Sequence, residues 1–255
     1  MNPTRTLEFG GKTISPSVRR LSDMTDVIYD IEWLKNAPDM ELYYMYRDVH
    51  MSRQDHSIIL DNGLRYDITV IPPARLGSEF IKTAGHYHPY KGDTGYTFPE
   101  VYEVLKGKAH YLLQKCEGGR MADVVMIEAV EGDKVIIPPN YGHVTINPSN
   151  KELKMANWVS RNFESIYEPY KKCGGAAYYE LTDGRLIKNA RCDQVPEIRY
   201  LKPTNYSKVG FAKGKEMYGL VRDPGKLEYL NYPEKYDWLW EEVLSDKNRA
   251  EPPML

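Results

Sequence analysis

The sequence predicts an all-β fold with a helical appendage, and three observations support this prediction. Short apolar stretches that alternate like strands recur at close intervals between residues 40 and 189. Turns rich in glycine and charged residues separate them, such as Lys106-Gly107-Lys108 and Glu131-Gly132-Asp133. The longest helical pattern lies near the carboxyl end, after residue 232. Regularly spaced short strands with such turns are typical of a β-sandwich or β-barrel.

A short helix is predicted before the first long strand. Val27, Ile31 and Leu34 recur at helical intervals, which predicts a helix over residues 26–35 that ends before Pro38.

The predicted strands then follow in order. A β-hairpin is predicted to join residues 57–60 to residues 65–71 across the turn Asp61-Asn62-Gly63, after a strand rich in tyrosine at residues 42–46. A second hairpin is expected to turn at Thr182-Asp183-Gly184. The remaining expected strands are residues 79–88, 100–105, 109–114, 124–129, 134–137, 143–146, 153–160, 177–181 and 186–189.

The carboxyl end has a different character. Pro233 suits the first position of a helix over residues 233–246, and Tyr236, Trp240, Val243 and Leu244 form one apolar stripe along it. We therefore predict a barrel domain of residues 1–200 and an extension of residues 201–255, packed on the barrel or on a partner subunit.

Composition limits the classes of function. The 255 residues carry a formal charge of −2, so they provide no concentrated basic field for nucleic acid. No apolar run approaches the length of a membrane span, and the amino terminus lacks the apolar region of a signal peptide. The three cysteines, Cys116, Cys173 and Cys192, cannot all pair with one another, so we expect reduced thiols in a cytoplasmic protein.

Three histidines and a carboxylate suggest a metal site. His86 and His88 lie two residues apart, which places both side chains on one face of a strand. A loop leads to Glu100, and strand parity favours Glu100 over Glu103 because the latter faces the opposite way. His143 follows a Pro-Pro turn and could complete the set. Nitrogen and oxygen ligands of this kind suit Fe(II), our first expectation, or Zn(II), Mn(II) or Ni(II).

The spacing resembles the two motifs of the cupin family. The first motif matches His86, His88, Glu100 and Gly107, and the second matches Gly132, Pro138, His143 and Asn147. Asn140 replaces a glycine of the second motif, and Phe80 stands where a glycine normally precedes the histidines. The gap between His88 and Glu100 is also long. The resemblance implies a cupin (jelly-roll) β-barrel, here with a short N-terminal helix and a C-terminal extension that contains a helix.

Further segments narrow the resemblance. Residues 17–24 (SVRRLSDM), 83–88 (TAGHYH), 100–102 (EVY) and 142–147 (GHVTIN) are similar to the archaeal cupin-type phosphoglucose isomerases, over about residues 10–200. That family interconverts glucose 6-phosphate and fructose 6-phosphate, usually as a homodimer. The resemblance implies that His86, His88, Glu100 and His143 hold the metal.

The resemblance also suggests contacts with the sugar phosphate. It implies that Tyr102 lies beside the sugar, that Thr69, Thr83 and Gly85 line the phosphate end, and that Tyr43 lines the pocket. Family members carry a histidine and a tyrosine after the second motif. This chain offers Tyr167 but has no histidine near Glu164.

The mechanism and two alternative functions stay open at this point. Glu100 is the candidate base, although it is also an expected ligand, and a hydride shift would need no base. Tyr102 or Tyr167 could move the proton between O1 and O2. A cupin Fe(II) oxygenase and a non-enzymatic sugar-binding cupin are the alternatives to the isomerase.

Overall fold

Two facing β-sheets build the centre of the fold. The computed structural model describes residues 5–252. The described strands are β1 (Leu7–Phe9), β2 (Lys12–Ile14), β3 (Ser17–Arg20), β4 (Glu41–Tyr46), β5 (Leu64–Ile71), β6 (Arg75–Leu76), β7 (Glu79–Phe80), β8 (Glu100–Lys106), β9 (Lys108–Glu117), β10 (Arg120–Val130), β11 (Lys134–Ile137), β12 (Tyr141–Ile146), β13 (Leu153–Ser160), β14 (Tyr178–Glu180), β15 (Leu186–Lys188) and β16 (Arg199–Leu201). One sheet has the strand order β12-β9-β10-β16 and the other has the order β11-β8-β13-β5-β4-β3.

The predicted all-β cupin fold is confirmed. Apolar side chains of both sheets meet in one core, which includes Leu113 and Val144 of the four-stranded sheet and Val104 and Met155 of the six-stranded sheet. Most neighbouring strands run antiparallel, and β10 pairs with β16 in parallel. Strand alternation explains the arrangement, because every second residue of these strands turns toward the core.

The second apolar core lies on the outer face of the six-stranded sheet. There Tyr66 and Trp158 pack with Tyr218, Leu239 and Trp240, which come from the carboxyl-terminal residues. The indole of Trp158 donates a hydrogen bond to the carbonyl oxygen of Met217 at 3.1 Å. The carboxyl-terminal segment therefore covers a sheet face that would otherwise expose large aromatic rings to water.

The helices are short. They are α1 (Ile31–Leu34), α2 (Arg53–Asp61), α3 (Glu168–Cys173) and α4 (Asp237–Val243), with 3₁₀ segments at Leu21–Asp23, Thr25–Val27, Ser207–Val209, Met217–Arg222, Pro224–Leu230, Pro233–Lys235 and Asp246–Asn248. Within residues 5–252 no helix is long and apolar enough to cross a membrane.

The predicted helices are shorter in the structure than expected. The predicted helix over residues 26–35 is reduced to a 3₁₀ turn and the single turn α1. The predicted helix over residues 233–246 is split into a 3₁₀ turn and α4, and α3 was not predicted.

The prediction of a hairpin at residues 57–71 was wrong, because its first arm is the helix α2. The hydroxyl of Ser52 accepts a hydrogen bond from the backbone N–H of Asp55 at 3.0 Å, which caps the helix start. The apolar run at residues 58–60 suggested a strand, yet Ile59 is buried while Leu60 is 40% exposed. Gly63 then turns the chain into β5 with a φ of +62°.

The prediction of one strand over residues 79–88 was also wrong. After β7 the segment makes isolated pairings, in which Lys82 pairs with Ile146 and His86 with His143. Gly85 interrupts it with a φ of +76°, and a Cβ there would lie 2.5 Å from the ring of Tyr170. The kink keeps the segment beside β12 while the chain turns at Gly85.

Candidate metal centre

Backbone pairing brings the three histidines together. His86 and His143 exchange two backbone hydrogen bonds, from His86 N to His143 O at 3.2 Å and from His143 N to His86 O at 3.0 Å. His88 Nδ1 lies 2.7 Å from the carbonyl oxygen of Phe98, which orients its ring. Glu100, two residues after Phe98, is the first residue of β8. The long loop noted in the sequence therefore returns the carboxylate to the histidines.

Four side chains converge on one point inside the fold. One donor atom from each of His86, His88, Glu100 and His143 lies within 4.8 Å of the others. His86 Nε2 and His88 Nε2 are 3.1 Å apart. Oε2 of Glu100 lies 3.5 Å from His88 Nε2 and 3.3 Å from His143 Nε2. The structure thus brings together all four residues that the sequence suggested as metal ligands.

The donor atoms fit a divalent metal ion. Oε1 of Glu100 accepts a hydrogen bond from Asn157 Nδ2 at 2.6 Å. Oε2 faces the imidazoles and has no hydrogen-bond partner among the described residues, although it is buried. A buried carboxylate oxygen without a donor is costly, and a cation between the four donors would satisfy it. Nitrogen and oxygen donors of this kind suit a first-row divalent metal.

The electrostatics of the site favour ligands that are free of protons. Burial, followed by the charges of His143 and His88, lowers the pKa of His86 well below its usual value. Burial also lowers the pKa of His88, to about 4. Burial opposes ionisation of Glu100, but its interactions with His143 and His88 outweigh burial and lower the pKa of this carboxyl. A neutral His86, a neutral His88 and an ionised Glu100 are protonation states that bind metal.

Glu103 lies on the other face of β8. Its Oε1 accepts a charged hydrogen bond from Lys134 Nζ at 2.9 Å, and its Oε2 accepts from the backbone N–H of Met217 at 2.7 Å. Both carboxylate oxygens are therefore engaged outside the site.

A cavity of about 390 Å³ is lined by three of the four candidate ligands, His86, His88 and Glu100. It is lined by every residue that the resemblance placed beside the substrate, namely Tyr43, Thr69, Thr83, Gly85, Tyr102 and Tyr167. The hydroxyl of Tyr102 lies 3.2 Å from His143 Nε2, and burial raises its pKa well above the usual value. The ring of Tyr167 lies 5.5 Å from that of His86. The roles of these residues stay predictions.

Other lining residues escaped the sequence analysis. Asn157 contacts Glu100, and Arg47, Arg65 and Asp67 form one wall of the cavity. Arg65 and Asp67 precede Thr69 at alternate positions of β5, whose other face is apolar. Polar residues with a period of two on such a strand were the available signal.

After the second motif, residues 163–166 pack against the metal centre, beginning with the aromatic ring of Phe163. The ring of Phe163 lies 4.5 Å from that of His88, and Ile166 exchanges two backbone hydrogen bonds with Tyr87. Glu164 and Ser165 lie between these contacts and line the cavity. The structure thus places a carboxylate and a hydroxyl where the expected histidine is missing.

Known proteins match a large part of this chain. A family model described as glucose-6-phosphate isomerase (GPI) matches residues 18–197, which is more than half of the chain. The glucose-6-phosphate isomerase of Thermococcus litoralis is 38% identical over 135 residues, which cover 53% of this chain and 64% of that protein. The glucose-6-phosphate isomerase of Pyrococcus furiosus is 37% identical over 131 residues, 51% of this chain and 62% of that protein. The chain thus spans less than two thirds of the length of these relatives.

Solved structures are similar over part of the chain. An oxalate oxidase in complex with glycolate covers 44% of this chain and 50% of its own, with 18% identity and a TM-score of 0.34. Hazelnut vicilin covers 60% of this chain and 32% of its own, with 12% identity and a TM-score of 0.37. The match of the family model over residues 18–197 shows that the chain belongs to the glucose-6-phosphate isomerase family.

Proposed function

We propose that this protein interconverts glucose 6-phosphate and fructose 6-phosphate as a metal-dependent isomerase of glycolysis and gluconeogenesis. One observation carries the proposal: in a member of the glucose-6-phosphate isomerase family, three imidazoles and a carboxylate converge beside a cavity lined with polar groups. The names of the archaeal relatives support the same activity.

We propose Fe(II) as the metal, held by His86, His88, Glu100 and His143. A divalent cation at this point would stabilise the negative charge that develops on sugar oxygens O1 and O2 during isomerisation. Zn(II), Mn(II) or Ni(II) would also suit the donor set. The hydrogen bond from Asn157 would hold Glu100 in place for this role.

From fructose 6-phosphate, the reaction moves one hydrogen from C1 to C2 and one proton from O1 to O2. Glu100 is the proposed base for the C1 hydrogen. One of its oxygens is bonded to Asn157 and the other faces the imidazoles, so it would act as base only when it leaves the ligand set. A direct hydride shift from C1 to C2 avoids this requirement. Tyr102 or Tyr167 would then serve the O1-to-O2 proton transfer.

The sugar phosphate would occupy the adjoining cavity. Tyr43, Thr69, Thr83, Gly85 and Tyr167 are the proposed contacts with it. The hydroxyl of Thr83 accepts a hydrogen bond from the backbone N–H of Thr145 at 3.0 Å, and its own hydrogen has no acceptor among the described residues, so it can donate to a ligand.

Assembly and location complete the proposal. We propose a cytoplasmic homodimer in which residues 1–200 form the barrel and residues 201–255 form the extension that covers it. The thiols of Cys116, Cys173 and Cys192 are free, as is usual in a reducing compartment. Light scattering of the purified protein would measure the oligomeric state.

An anaerobic coupled assay tests the function. The metal-loaded protein should form glucose 6-phosphate from fructose 6-phosphate under nitrogen, and chelation should abolish this activity. Oxygen uptake without isomerisation would favour the cupin oxygenase. Binding of the sugar phosphate without turnover or oxygen uptake would leave a sugar-binding protein, and either result would reject the isomerase.

A further inference from the structure

A loop joins two of the four candidate metal ligands, His88 and Glu100. We call this loop, residues 89–99, the ligand loop. The barrel holds it near Glu100, because Thr97 and Asn140 exchange two hydrogen bonds. The backbone N–H of Thr97 donates to Oδ1 of Asn140 at 3.0 Å, and the backbone N–H of Asn140 donates to Oγ1 of Thr97 at 2.7 Å. One end of the ligand loop is thus fixed by the barrel itself.

The ligand loop also determines how His88 is oriented. The carbonyl oxygen of Phe98 lies 2.7 Å from Nδ1 of His88. The backbone N–H of Phe98 donates to the carbonyl oxygen of Pro89 at 3.2 Å, which joins the two ends of the loop. A hydrogen bond to the second ring nitrogen of a metal-binding histidine fixes the orientation of the ring. A displacement of the loop would therefore change the position of the His88 imidazole.

The carboxyl-terminal extension holds the rest of the ligand loop. Nζ of Lys91 lies 2.6 Å from Oε1 of Glu234 and 4.2 Å from the ring centre of Tyr232. The hydroxyl of Tyr96 donates a hydrogen bond to Oδ1 of Asp237. Lys91 and Tyr96 are joined to each other, because the backbone N–H of Lys91 donates to the carbonyl oxygen of Tyr96 at 2.8 Å. Both arms of the loop are thus bound to one short stretch of the extension.

This stretch of the extension is fixed to the six-stranded sheet. The carbonyl oxygen of Pro233 accepts a hydrogen bond from the indole N–H of Trp240 at 2.9 Å. Trp240 and Leu239 belong to the apolar core on the outer face of that sheet. Glu234, the residue after Pro233, is therefore attached to a buried support. Its side chain and that of Lys91 are only 30% and 24% exposed, so water screens their ion pair less than a pair on the open surface.

The contacts between the extension and the ligand loop lie outside the cavity. Lys91, Tyr96, Glu234 and Asp237 are absent from its lining. The extension also lies beyond residues 18–197, the range that the family model matches. An effect of these contacts on the metal centre must therefore pass through the ligand loop.

We propose that Glu234 and Asp237 are positioning residues, which hold the ligand loop so that the metal ligands at its two ends are preorganised. A loop without these contacts would sample more conformations, and metal binding would have to order it. The extension thus raises metal affinity without contacting the metal. This inference rests on the proposed metal centre and not on the reaction that the metal supports.

Competition of the full chain with a chelator for Fe(II), under nitrogen, measures the effect on affinity. Lys91→Met and Tyr96→Phe each remove one contact with the extension. Each should weaken Fe(II) binding roughly 2- to 5-fold, the loss expected for one partly exposed polar contact, and the double variant should lose roughly 10-fold.

Matched control variants are available in the extension itself. Lys235 lies over the same Tyr232 ring as Lys91, at 4.2 Å, but pairs with Glu228. The hydroxyl of Tyr236 also donates to Glu228, at 2.8 Å. Lys235→Met and Tyr236→Phe therefore remove equivalent contacts within the extension, and both should bind Fe(II) like the wild type. An equal loss of affinity in these controls would overturn the proposal.

Hydrogen exchange of the metal-free protein distinguishes positioning from a general loss of stability. The amides of Lys91 and Phe98, which are hydrogen-bonded within the ligand loop, should exchange faster in the double variant than in the wild type. The unfolding midpoint should be no lower than in the controls. Exchanging the charges in Lys91→Glu combined with Glu234→Lys should recover most of the affinity lost in Lys91→Met. Wild-type affinity in the double variant, or a loss of affinity without faster exchange in the loop, would overturn the proposal.

An isomerase assay separates this inference from the proposed function. If the wild type isomerises fructose 6-phosphate only with metal, and the double variant binds metal equally well, the positioning role alone is rejected. If the double variant loses metal affinity and the wild type does not isomerise, the isomerase is rejected and the positioning role is supported.

Discussion

Glu100 and Glu103 lie three residues apart on β8, and the two faces of this strand treat them differently. Both are buried, with exposures of 4% and 3%. On the outer face, Glu103 is fully paired with Lys134 and the backbone of Met217. On the inner face, Glu100 keeps one oxygen without a hydrogen-bond partner in the described chain, directed at histidines. The outer face therefore contributes to stability, and the inner face offers a carboxylate oxygen that can coordinate a ligand.

The largest effect is expected from breaking the ion pair between Glu103 and Lys134 on the outer face. Glu103→Leu should lower the free energy of unfolding by about 3–5 kcal/mol, because Lys134 would stay buried without its counter-charge. Urea unfolding measures this loss. Adding Lys134→Met should recover much of it, whereas Lys106→Ala, which removes an exposed pair with Glu152, should cost less than about 1 kcal/mol. A fully stable Glu103→Leu protein would show that the outer pair is dispensable.

Substitution of Glu100, on the inner face, should weaken metal binding and leave the stability of the fold nearly unchanged. Glu100→Gln preserves the shape of the side chain and removes the ligand charge, so we expect metal affinity to fall more than about 100-fold, beyond the effect of losing a supporting contact. The unfolding midpoint of the metal-free protein should stay close to that of the wild type. Competition with a chelator measures the affinity, and wild-type affinity would exclude Glu100 as a ligand.

A smaller effect is expected at the residue that supports Glu100. Asn157→Leu removes the donor at 2.6 Å and should weaken metal binding by about 10- to 100-fold. Met155→Leu is the control, since Met155 lines the same cavity from the same strand without contacting Glu100. Equal metal affinity in Asn157→Leu and the wild type would show that the amide does not position the carboxylate.

The histidines of the inner face should also make the stability of the metal-free protein depend on pH. His88 has its pKa lowered to about 4, whereas an unfolded histidine takes up a proton near pH 6.5. Between these values the unfolded state binds more protons, so the metal-free protein should lose stability as the pH falls from about 6.5 to about 4. The lowered pKa of Glu100 acts in the same direction at still lower pH. His88→Gln should flatten the dependence of the melting temperature on pH, and an unchanged slope would contradict this assignment.

The same strand parity explains why the sequence singled out the four side chains that the structure brings together. Alternation along β8 separated Glu100 from Glu103, and it placed His86 and His88 on one face. Asn140 occupies the position of a motif glycine and adopts a φ of +70°, as its tolerance of this region allows. These features depend on local geometry, which a sequence expresses directly.

The missed parts depend on contacts between distant segments. The run Ile58-Ile59-Leu60 has strand-like composition, yet the cap at Ser52 and the burial of Ile59 make it a helix. Asn157 and Arg65 come from β13 and β5, and only the sheet register places Asn157 against Glu100 and Arg65 on the wall of the same cavity. Strand register is decided by tertiary packing, which composition and periodicity do not express.

Stepwise reconstitution is the most direct test of the central claim, that the inner face holds one divalent metal needed for isomerisation. Metal-free protein would be titrated with Fe(II) under nitrogen while the conversion of fructose 6-phosphate is followed. The account predicts that activity rises in proportion to bound metal and saturates at one ion per chain, with no such rise in Glu100→Gln. Full activity before any metal is added, in protein shown by elemental analysis to contain none, would contradict it.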